Sequence, residues 1–296
     1  MDQNNRTYDT GTMKRHDLWL AKYARNNTSQ FGEDGIIEKV LEVVGVNDKW
    51  CVEFGSWDGK ICSNTFHLIS EKGYSAVLIE GNPKRYKDLL KTFTGNDKVV
   101  PINTFVGFER ETGLDSILKD TAIPKDFDLL SIDIDGNDYH VWETVQNYKP
   151  KVVLIEFNPT IPKTVEFVQP PDPRLSQGSS LLSITQLGKS KGYELVCTTH
   201  ANAVFVHAKF FDLFGIKDNS AEKMMTDDSM VTHIFCGFDG TVFIRGCGII
   251  PWQGIAYEES KVQQLPKWAR KVVGDRNILR RKIGKLYRRF YKKKYR

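Results

Sequence analysis

Short apolar runs alternate with amphipathic segments through most of the chain. Five runs are nearly continuous in Val, Ile and Leu, which is typical of parallel strands buried on both faces: 50–54, 75–80, 98–106, 127–134 and 151–157. Segments with helical spacing lie between them, near 62–72, from Pro83 onward, at 113–118 and near 138–147. The pattern predicts an α/β fold organised around a parallel sheet.

The last two predicted strands differ from the first five. A helix is predicted over 180–191, and the runs 194–199 and 202–207 follow it with only a tight turn between them. Such a short connection can join only antiparallel strands, so the sheet should have seven strands and end in an antiparallel hairpin. Residues 158–178 contain five prolines, and a loop of this length predicts a functional lid.

The regions outside the alternating pattern suggest three parts. Residues 1–28 are polar and should form an arm or a short helix, residues 29–265 the main domain, and residues 266–296 a basic tail. In the tail, apolar residues recur at spacings of three, four and one: Leu279, Ile283, Leu286, Tyr287, Phe290 and Tyr291. This spacing places them on one stripe of a helix, with Lys and Arg on the other faces.

The positive net charge of the chain comes from its tail. Residues 279–296 hold ten Lys/Arg and no acid, whereas the whole chain has a net charge of +5, so the remainder carries −5. A basic amphipathic helix is typical of a segment lying on an anionic membrane. RNA binding is the alternative, because basic residues interleaved with aromatics also suit phosphates and bases, and a solvated tail is the third.

Composition narrows the class of protein. The chain is 40% hydrophobic with a mean hydropathy of −0.40, and no apolar stretch has the length of a membrane span. Its five cysteines are scattered without paired spacing, which indicates reduced thiols rather than disulfides or a zinc site. Because the first residues lack an apolar signal segment, we expect a cytoplasmic protein, peripheral on the inner face of the cell membrane if the tail binds lipid.

Carboxylates lie at the carboxyl ends of the predicted strands, where open α/β sheets bind their ligands. Acids are depleted in strands, so this recurrence indicates a site. The five residues are Glu53, Glu80, Asp133, Asp135 and Glu156.

The residues of the turn after the first strand restrict which ligands the site could bind. Gly55-Ser-Trp-Asp-Gly59 has Trp57 where a dinucleotide fingerprint needs its second glycine, and Glu53 and Asp58 flank the turn. Carboxylates there would repel a pyrophosphate but suit a ligand with an ammonium and a sulfonium. S-adenosylmethionine has both, and Glu80 could accept hydrogen bonds from its ribose diol, as in NAD sites.

Four motifs together resemble the FkbM-type S-adenosylmethionine-dependent methyltransferases. They are Val52–Gly59, Leu78–Pro83, Leu130–Asp138 and Val153–Glu156, and Ser29–Asp34 also resembles a family feature. The resemblance covers roughly residues 29–208 and implies a Rossmann-like class I methyltransferase fold. Where the family typically has Asp-x-Glu-Gly-x-Glu, this chain has the shorter Asp135 and Asp138.

The resemblance implies a set of site residues. Those expected to hold the cofactor are Gln30, Asp34, Glu53, Gly55, Trp57, Asp58, Gly59, Glu80, Gly81 and Asp133. Four acids could hold Mg²⁺ near the acceptor hydroxyl: Asp133, Asp135, Asp138 and Glu156. The alternative is that these acids cap the following helix and bind the amino group of the cofactor.

The catalytic candidates are Asp135, His140 and His200. His140 follows the acidic turn and could act as general base because its pKa lies near the working pH, and His200 is the second choice. A structural role is the alternative for each histidine. Trp57, Tyr139 or Trp142 could stack on a sugar.

These observations predict an enzyme that methylates a hydroxyl, on a sugar of a surface polysaccharide or a lipid-linked glycan. The partners expected are therefore a glycan acceptor and an anionic membrane. Two alternatives stay open. The first is a non-catalytic module that binds glycan or protein in the same cleft, and the second is an RNA methyltransferase, which the acidic body disfavours.

Overall fold

The structure, a computed structural model, describes residues 17–270 and 277–294. It divides into two compact units, Met1–Asp227 and Asp228–Arg296. The first boundary of the predicted arm and most of its length lie in 1–16, outside the described residues. The predicted domain limits at 28/29 and 265/266 stay predictions. The division after Asp227 separates two compact units and does not test those limits.

A seven-stranded sheet forms the centre of the first unit. Its strands are β1 (Trp50–Phe54), β2 (Ser75–Ile79), β3 (Val99–Ile102), β4 (Leu129–Ile132), β5 (Val152–Glu156), β6 (Tyr193–Thr198) and β7 (Asn202–His207). Their order is β3-β2-β1-β4-β5-β7-β6, and only β7 runs antiparallel to its neighbours. This confirms the predicted Rossmann-like, mostly parallel fold with its final antiparallel hairpin.

Helices connect the parallel strands. They are α1 (Glu33–Val44), α2 (Phe66–Lys72), α3 (Pro83–Thr92), α4 (Leu114–Leu118), α5 (Asp138–Thr144), α6 (Leu181–Ser190) and α7 (Ala221–Met224). Two 3₁₀ segments, Trp19–Tyr23 and Ala208–Phe214, pack together, since the indole of Trp19 donates to the carbonyl of Phe214 at 3.0 Å. The end of the predicted arm is therefore part of this unit.

The sheet is buried on both faces, as its continuous apolar runs require. Nearly every residue of β2, β4 and β5 is buried, whereas β3 is an edge strand that tolerates Pro101. Because all five parallel strands point the same way, their carboxyl ends share one edge of the sheet. That edge receives the acids that the sequence places at strand ends.

The second unit contains short hairpins and one long helix. β8 (Thr232–Cys236) pairs with β9 (Val242–Gly246), and β10 (Ile249–Ile250) pairs with β11 (Ile255–Ala256). Two 3₁₀ turns, Glu259–Val262 and Lys267–Ala269, precede α8 (Ile278–Lys294). The tail is therefore helical over Ile278–Lys294, as its spacing predicts.

A buried ion pair fixes the opposite, amino-terminal edge of the sheet. Lys151, just before β5, lies 2.9 Å from Asp128, just before β4, and both side chains are almost fully buried. Asp128 also accepts a hydrogen bond from the backbone of Lys49, and Lys151 donates to the carbonyl of Gly45. The pair therefore joins three segments at this edge.

We predict that Lys151→Met destabilises the protein strongly, because it leaves the Asp128 charge buried without a counter-ion. The free energy of unfolding should fall by about 3–5 kcal/mol in urea denaturation. Lys91→Met is the matched control, since Lys91 pairs with Asp88 at 2.7 Å on the surface and should cost less than about 1 kcal/mol. Equal losses in the two variants would contradict the assignment.

Candidate functional site

The turn after β1 is held in a strained conformation. Gly55 has φ +74°, and a Cβ at this position would overlap the carbonyl oxygen of Asp133 in the neighbouring turn. Trp57 has φ +51°, which is uncommon for a bulky residue and marks strain of the kind that clusters at functional sites. Asp58 stabilises the turn by accepting hydrogen bonds from the backbone of Lys60 and Ile61.

Glu80 joins this turn to the end of β2. Its buried carboxylate accepts hydrogen bonds from the backbone N–H of Trp57 at 2.8 Å and of Asn82 at 2.6 Å. Each carboxylate oxygen can accept a further hydrogen bond, so Glu80 remains able to bind a diol. The structure therefore places Glu80 beside the turn, as the sequence predicts.

An aromatic and cationic rim surrounds Glu80. The guanidinium of Arg85 lies 4.4 Å from the ring centroid of Trp57. Gly81 lies directly beneath the ring of Phe105, which is 77% exposed. Such a rim offers flat apolar faces on which a nucleobase can stack.

Glu53 has an internal role. One carboxylate oxygen accepts from the hydroxyls of Ser63 and Thr65 at 2.6 and 2.7 Å, and the other accepts from the backbone N–H of Asn64 at 2.7 Å. Burial raises the pKa of Glu53, and these three hydrogen bonds oppose the rise. Glu53 therefore shapes the loop that leads into α2, whatever contact it makes with a ligand.

The segment before α1 closes over the same edge of the sheet. Asp34 accepts hydrogen bonds through Oδ2 from the backbone of Asn27, Thr28 and Ser29, whereas its buried Oδ1 has no hydrogen-bond partner among the described residues. Asp34 also lies near enough to raise the pKa of Glu53. Asp34 thus orders this segment and leaves one oxygen available.

Cys62 was not among the predicted site residues, but the structure places it between two of them. Its thiol interacts with the side chain of Gln30, and partial burial together with the charge of Asp133 raises its pKa. Cys62 has φ +60°, a second strained residue of this region. A lone cysteine in a loop gives no signal from which the sequence could have predicted this position.

Three acids come together at the ends of β4 and β5. Asp133, Asp135 and Glu156 each place one carboxylate oxygen within 4.8 Å of the others. Burial, followed by the charges of Asp133, Asp138 and Asp135, raises the pKa of Glu156 to about 10, and burial with neighbouring acids also raises the pKa of Asp133. We call these three residues the acidic triad; with a pKa of about 10, Glu156 keeps its proton at neutral pH.

Asp138, the fourth predicted metal ligand, has a different role. Its oxygens accept hydrogen bonds from the backbone N–H of Ile134 at 2.9 Å and of Gly136 at 2.8 Å. Burial raises its pKa to about 6. Asp138 therefore closes the turn that presents Asp135; these two hydrogen bonds of its carboxylate go to residues before α5 and not to the first turn of the helix.

Two further polar residues lie beside the acidic triad and were missed in the sequence. Asn202 of β7 pairs with Glu156 across the sheet, and its buried Oδ1 has no hydrogen-bond partner among the described residues. Its Nδ2 donates to Glu33 at 3.3 Å, and the charge of Glu33 contributes to the raised pKa of Asp133. Only the strand register, which joins residues 46 positions apart, brings Asn202 here.

The proline-rich segment is organised around Gln169, and its role as a lid stays a prediction. Gln169 is buried, and its side-chain oxygen accepts hydrogen bonds from the backbone of Gln177 and Gly178, both at 2.9 Å. A Cβ on Gly136 would come within 2.8 Å of the carbonyl oxygen of Leu175. The segment therefore covers the acidic turn at contact distance.

The two candidate histidines, His140 and His200, contact residues outside the acidic triad. His140 Nε2 lies 2.7 Å from the carbonyl oxygen of Gln169, which ties the imidazole to the proline-rich segment. His200 Nδ1 lies 2.7 Å from Asp227, and its ring lies 4.8 Å from that of Phe31. Their roles as general bases stay predictions.

The expectation that Trp142 stacks on a sugar is wrong. Trp142 is only 1% exposed, and its ring packs against those of Tyr193 and Phe205. It belongs to the core because the helical period of α5 turns it towards the sheet. Trp57 and Tyr139 are not buried in this way.

Comparisons with known proteins agree with this geometry. Residues 108–195 match the family model described as the methyltransferase FkbM domain, a stretch that includes the acidic turn, β5 and the proline-rich segment. No curated protein sequence matches the chain.

Many solved structures show a distant likeness. A S-adenosylmethionine-dependent methyltransferase from Aquifex aeolicus is 12% identical, with 63% of this chain and 94% of that one covered and a TM-score of 0.36. The N-terminal domain of EvdMO1, solved in the presence of SAH and D-fucose, is 14% identical, with 69% and 99% covered and a TM-score of 0.41. At such scores these likenesses carry no argument of their own.

The family match and the sheet order therefore rest on independent observations, one of sequence and one of architecture. The match confirms, over residues 108–195, the FkbM resemblance that the motifs indicate, and it supports an S-adenosylmethionine-dependent methyltransferase.

Proposed function

We propose that this methyltransferase acts on a hydroxyl group, on a sugar of a surface polysaccharide or a lipid-linked glycan. The observation that carries the proposal is the acidic triad at the carboxyl edge of the sheet, next to the turn assigned to the cofactor. A hydroxyl is a weak nucleophile and must lose its proton during transfer, and a carboxylate of this cluster can accept that proton when it is ionised.

The cofactor would lie along the ends of β1 and β2. Glu80 is suited to binding the ribose diol, and the rings of Trp57 and Phe105 are suited to stacking on the adenine. The backbone at Asp58, Gly59 and Gly81 would shape the walls of the cofactor site. The free oxygen of Asp34, with Gln30 close by, suits the ammonium of the amino acid end. S-adenosylmethionine would supply its methyl group to the acceptor oxygen: a C–O bond forms, the methyl–sulfur bond breaks, S-adenosylhomocysteine leaves as a neutral thioether, and the hydroxyl proton passes to a base.

The acidic triad could also hold a divalent cation. Its three hard oxygen donors converge, and Asn202, whose Oδ1 has no hydrogen-bond partner in the described part of the chain, pairs with Glu156 across the sheet. These residues fit Mg²⁺. Such an ion would lower the pKa of a hydroxyl bound to it, and Glu156 and Asp133 would then be ionised.

The basic helix suggests where the acceptor is met. α8 exposes apolar residues, with Leu279 68%, Leu286 60% and Phe290 75% exposed, and Lys282 and Lys285 lie on its exposed surface. Among the described residues, none of the helices combines the length and the hydrophobicity that a bilayer crossing requires. We propose that α8 lies on an anionic membrane surface, which would bring the enzyme to an acceptor carried on lipid.

We predict that Glu80→Ala abolishes methyl transfer by removing the ligand for the ribose. Hydrogen bonds to a charged group contribute about 1.5–3 kcal/mol each, so the loss of two should weaken binding of S-adenosylhomocysteine at least a hundredfold in calorimetry. Glu71→Ala, on the exposed surface of α2, is the control. Transfer is measured by mass spectrometry of candidate glycans incubated with the enzyme and methyl-labelled cofactor.

The two readouts separate the possible failures. Unchanged affinity in Glu80→Ala would overturn the cofactor site. Cofactor binding by the wild type without transfer to any hydroxyl would favour a non-catalytic module. Methyl groups found on RNA instead of on glycans would favour the second alternative function.

We predict that Mn²⁺ or Mg²⁺ binding releases protons, because Glu156, with a pKa of about 10, must ionise to bind a cation. Titration calorimetry at pH 7.5 in two buffers of different ionisation enthalpy counts these protons. Glu156→Gln and Asp135→Asn should each weaken binding at least tenfold, whereas Asp120→Asn on the exposed surface should not. Absence of binding by the wild type would overturn the metal site and leave the acids as proton acceptors.

We predict that neutralising two cations of α8 weakens membrane binding. Each basic residue near an anionic surface contributes about 1 kcal/mol, so Lys282→Gln with Lys285→Gln should lower the affinity for phosphatidylglycerol vesicles about thirtyfold at low salt. Lys119→Gln with Lys125→Gln removes the same charge from the exposed surface of the first unit and serves as control. Equal losses in both double variants would indicate an effect of net charge alone.

A further inference from the structure

Each of the two hairpins of the second unit carries an aromatic residue in its turn. Phe238 lies between β8 and β9 and is 95% exposed, and Trp252 lies between β10 and β11 and is 65% exposed. Large aromatic side chains are usually at least partly buried, so two such turns in one small unit are unusual. The repetition indicates a shared purpose.

Several residues of the strands beside these turns are apolar and exposed, whereas Val242 and Ile244 of β9 are buried. In β8, Ile234 is 65% exposed and the adjacent Phe235 49%, and Ile255 of β11 is 58% exposed. Consecutive residues of a strand point to opposite faces, so neither face of β8 is covered at these positions. An apolar surface of this kind marks a site of interaction with a partner or a membrane.

The turns satisfy several of their own polar groups. In the first turn, Gly237 N–H donates to the carbonyl of Thr241 at 2.8 Å and Gly240 N–H to that of Gly237 at 2.9 Å, while Asp239 accepts from Thr241. In the second, Gly254 N–H donates to Ile250 at 2.8 Å. These groups would stay paired in a medium that offers few hydrogen bonds, which favours insertion.

Charge distinguishes between the possible partners. The second unit, residues 228–296, has sixteen Lys/Arg against five Asp/Glu, a net charge of +11, of which residues 279–296 carry +10, whereas residues 1–227 have 26 against 32, a net charge of −6. The same unit of a second copy would be repelled. An anionic bilayer offers negative charge and an apolar phase together, and aromatic rings favour its interface.

We propose that the two hairpin turns insert Phe238 and Trp252 into the interface of an anionic lipid bilayer, as a hydrophobic contact separate from the electrostatic one of α8. This inference rests on the membrane attachment proposed above and deepens it. The helix would attract the protein through charge, and the turns would hold it through burial of apolar surface. The first contact weakens with salt and the second does not.

The test uses the full chain and vesicles of phosphatidylcholine with and without phosphatidylglycerol. Phe238→Ser and Trp252→Ser should each reduce vesicle binding about tenfold or more, the cost of losing one inserted aromatic, with the salt dependence unchanged. Phe238→Leu and Trp252→Phe should retain most of the binding. Leu90→Ser, which alters a 42% exposed residue of α3 in the first unit, is the matched control.

Each result supports or overturns the inference. Loss of binding in the two Ser variants, with unchanged thermal unfolding and rescue by the apolar variants, supports it. Unchanged binding in these variants overturns it, even if the α8 charge variant binds less and the helix proposal stands. If no wild-type protein binds vesicles, both membrane proposals fail. If the Ser variants instead change the oligomeric state in light scattering, the turns contact a second copy and the inference is wrong.

Discussion

Mutual repulsion among clustered carboxylates is the constraint on which the site depends. Two ionised carboxylates 4.8 Å apart repel each other by about 3.5 kcal/mol at an effective dielectric constant of about 20. Burial, and after it the charges of Asp133, Asp138 and Asp135, raise the pKa of Glu156 to about 10, so this carboxyl keeps its proton at neutral pH and the repulsion is reduced. The fold must hold these groups together against their repulsion, and a ligand that supplies positive charge would be stabilised there.

Three other acids stabilise the backbone around the acidic triad and leave the triad itself available to a ligand. Glu53 organises the loop before α2, Asp138 closes the acidic turn, and Glu80 ties the turn after β1 to β2, each by accepting backbone N–H groups. Because hydrogen bonds to a carboxylate are strong, these acids make the strand ends rigid. Gln169 then fixes the proline-rich segment over the acidic turn. Trp57 and Asp135 both have a positive φ and are strained, and the surrounding hydrogen bonds are needed to hold them in this conformation.

The two units carry opposite net charges, which agrees with different roles for the two units. An acidic first unit suits a cofactor with an ammonium and a sulfonium, and a basic second unit suits an anionic surface. The basic character that the net charge suggests is therefore local. Nothing in this charge pattern favours RNA at the site itself, because the carboxylates would repel phosphates.

The sequence by itself determined the sheet, the final hairpin, the helical tail and the FkbM resemblance over residues 108–195, since these follow from local periodicity and from contiguous motifs. It also located the acids, because parallel strands necessarily bring their carboxyl ends to one edge. Only the tertiary structure decided what each side chain does there. It separated Asp138 from the acidic triad, joined His140 to Gln169, and brought Asn202 beside Glu156. Hydrogen bonds between residues distant in the chain depend on packing and register, which no local pattern encodes.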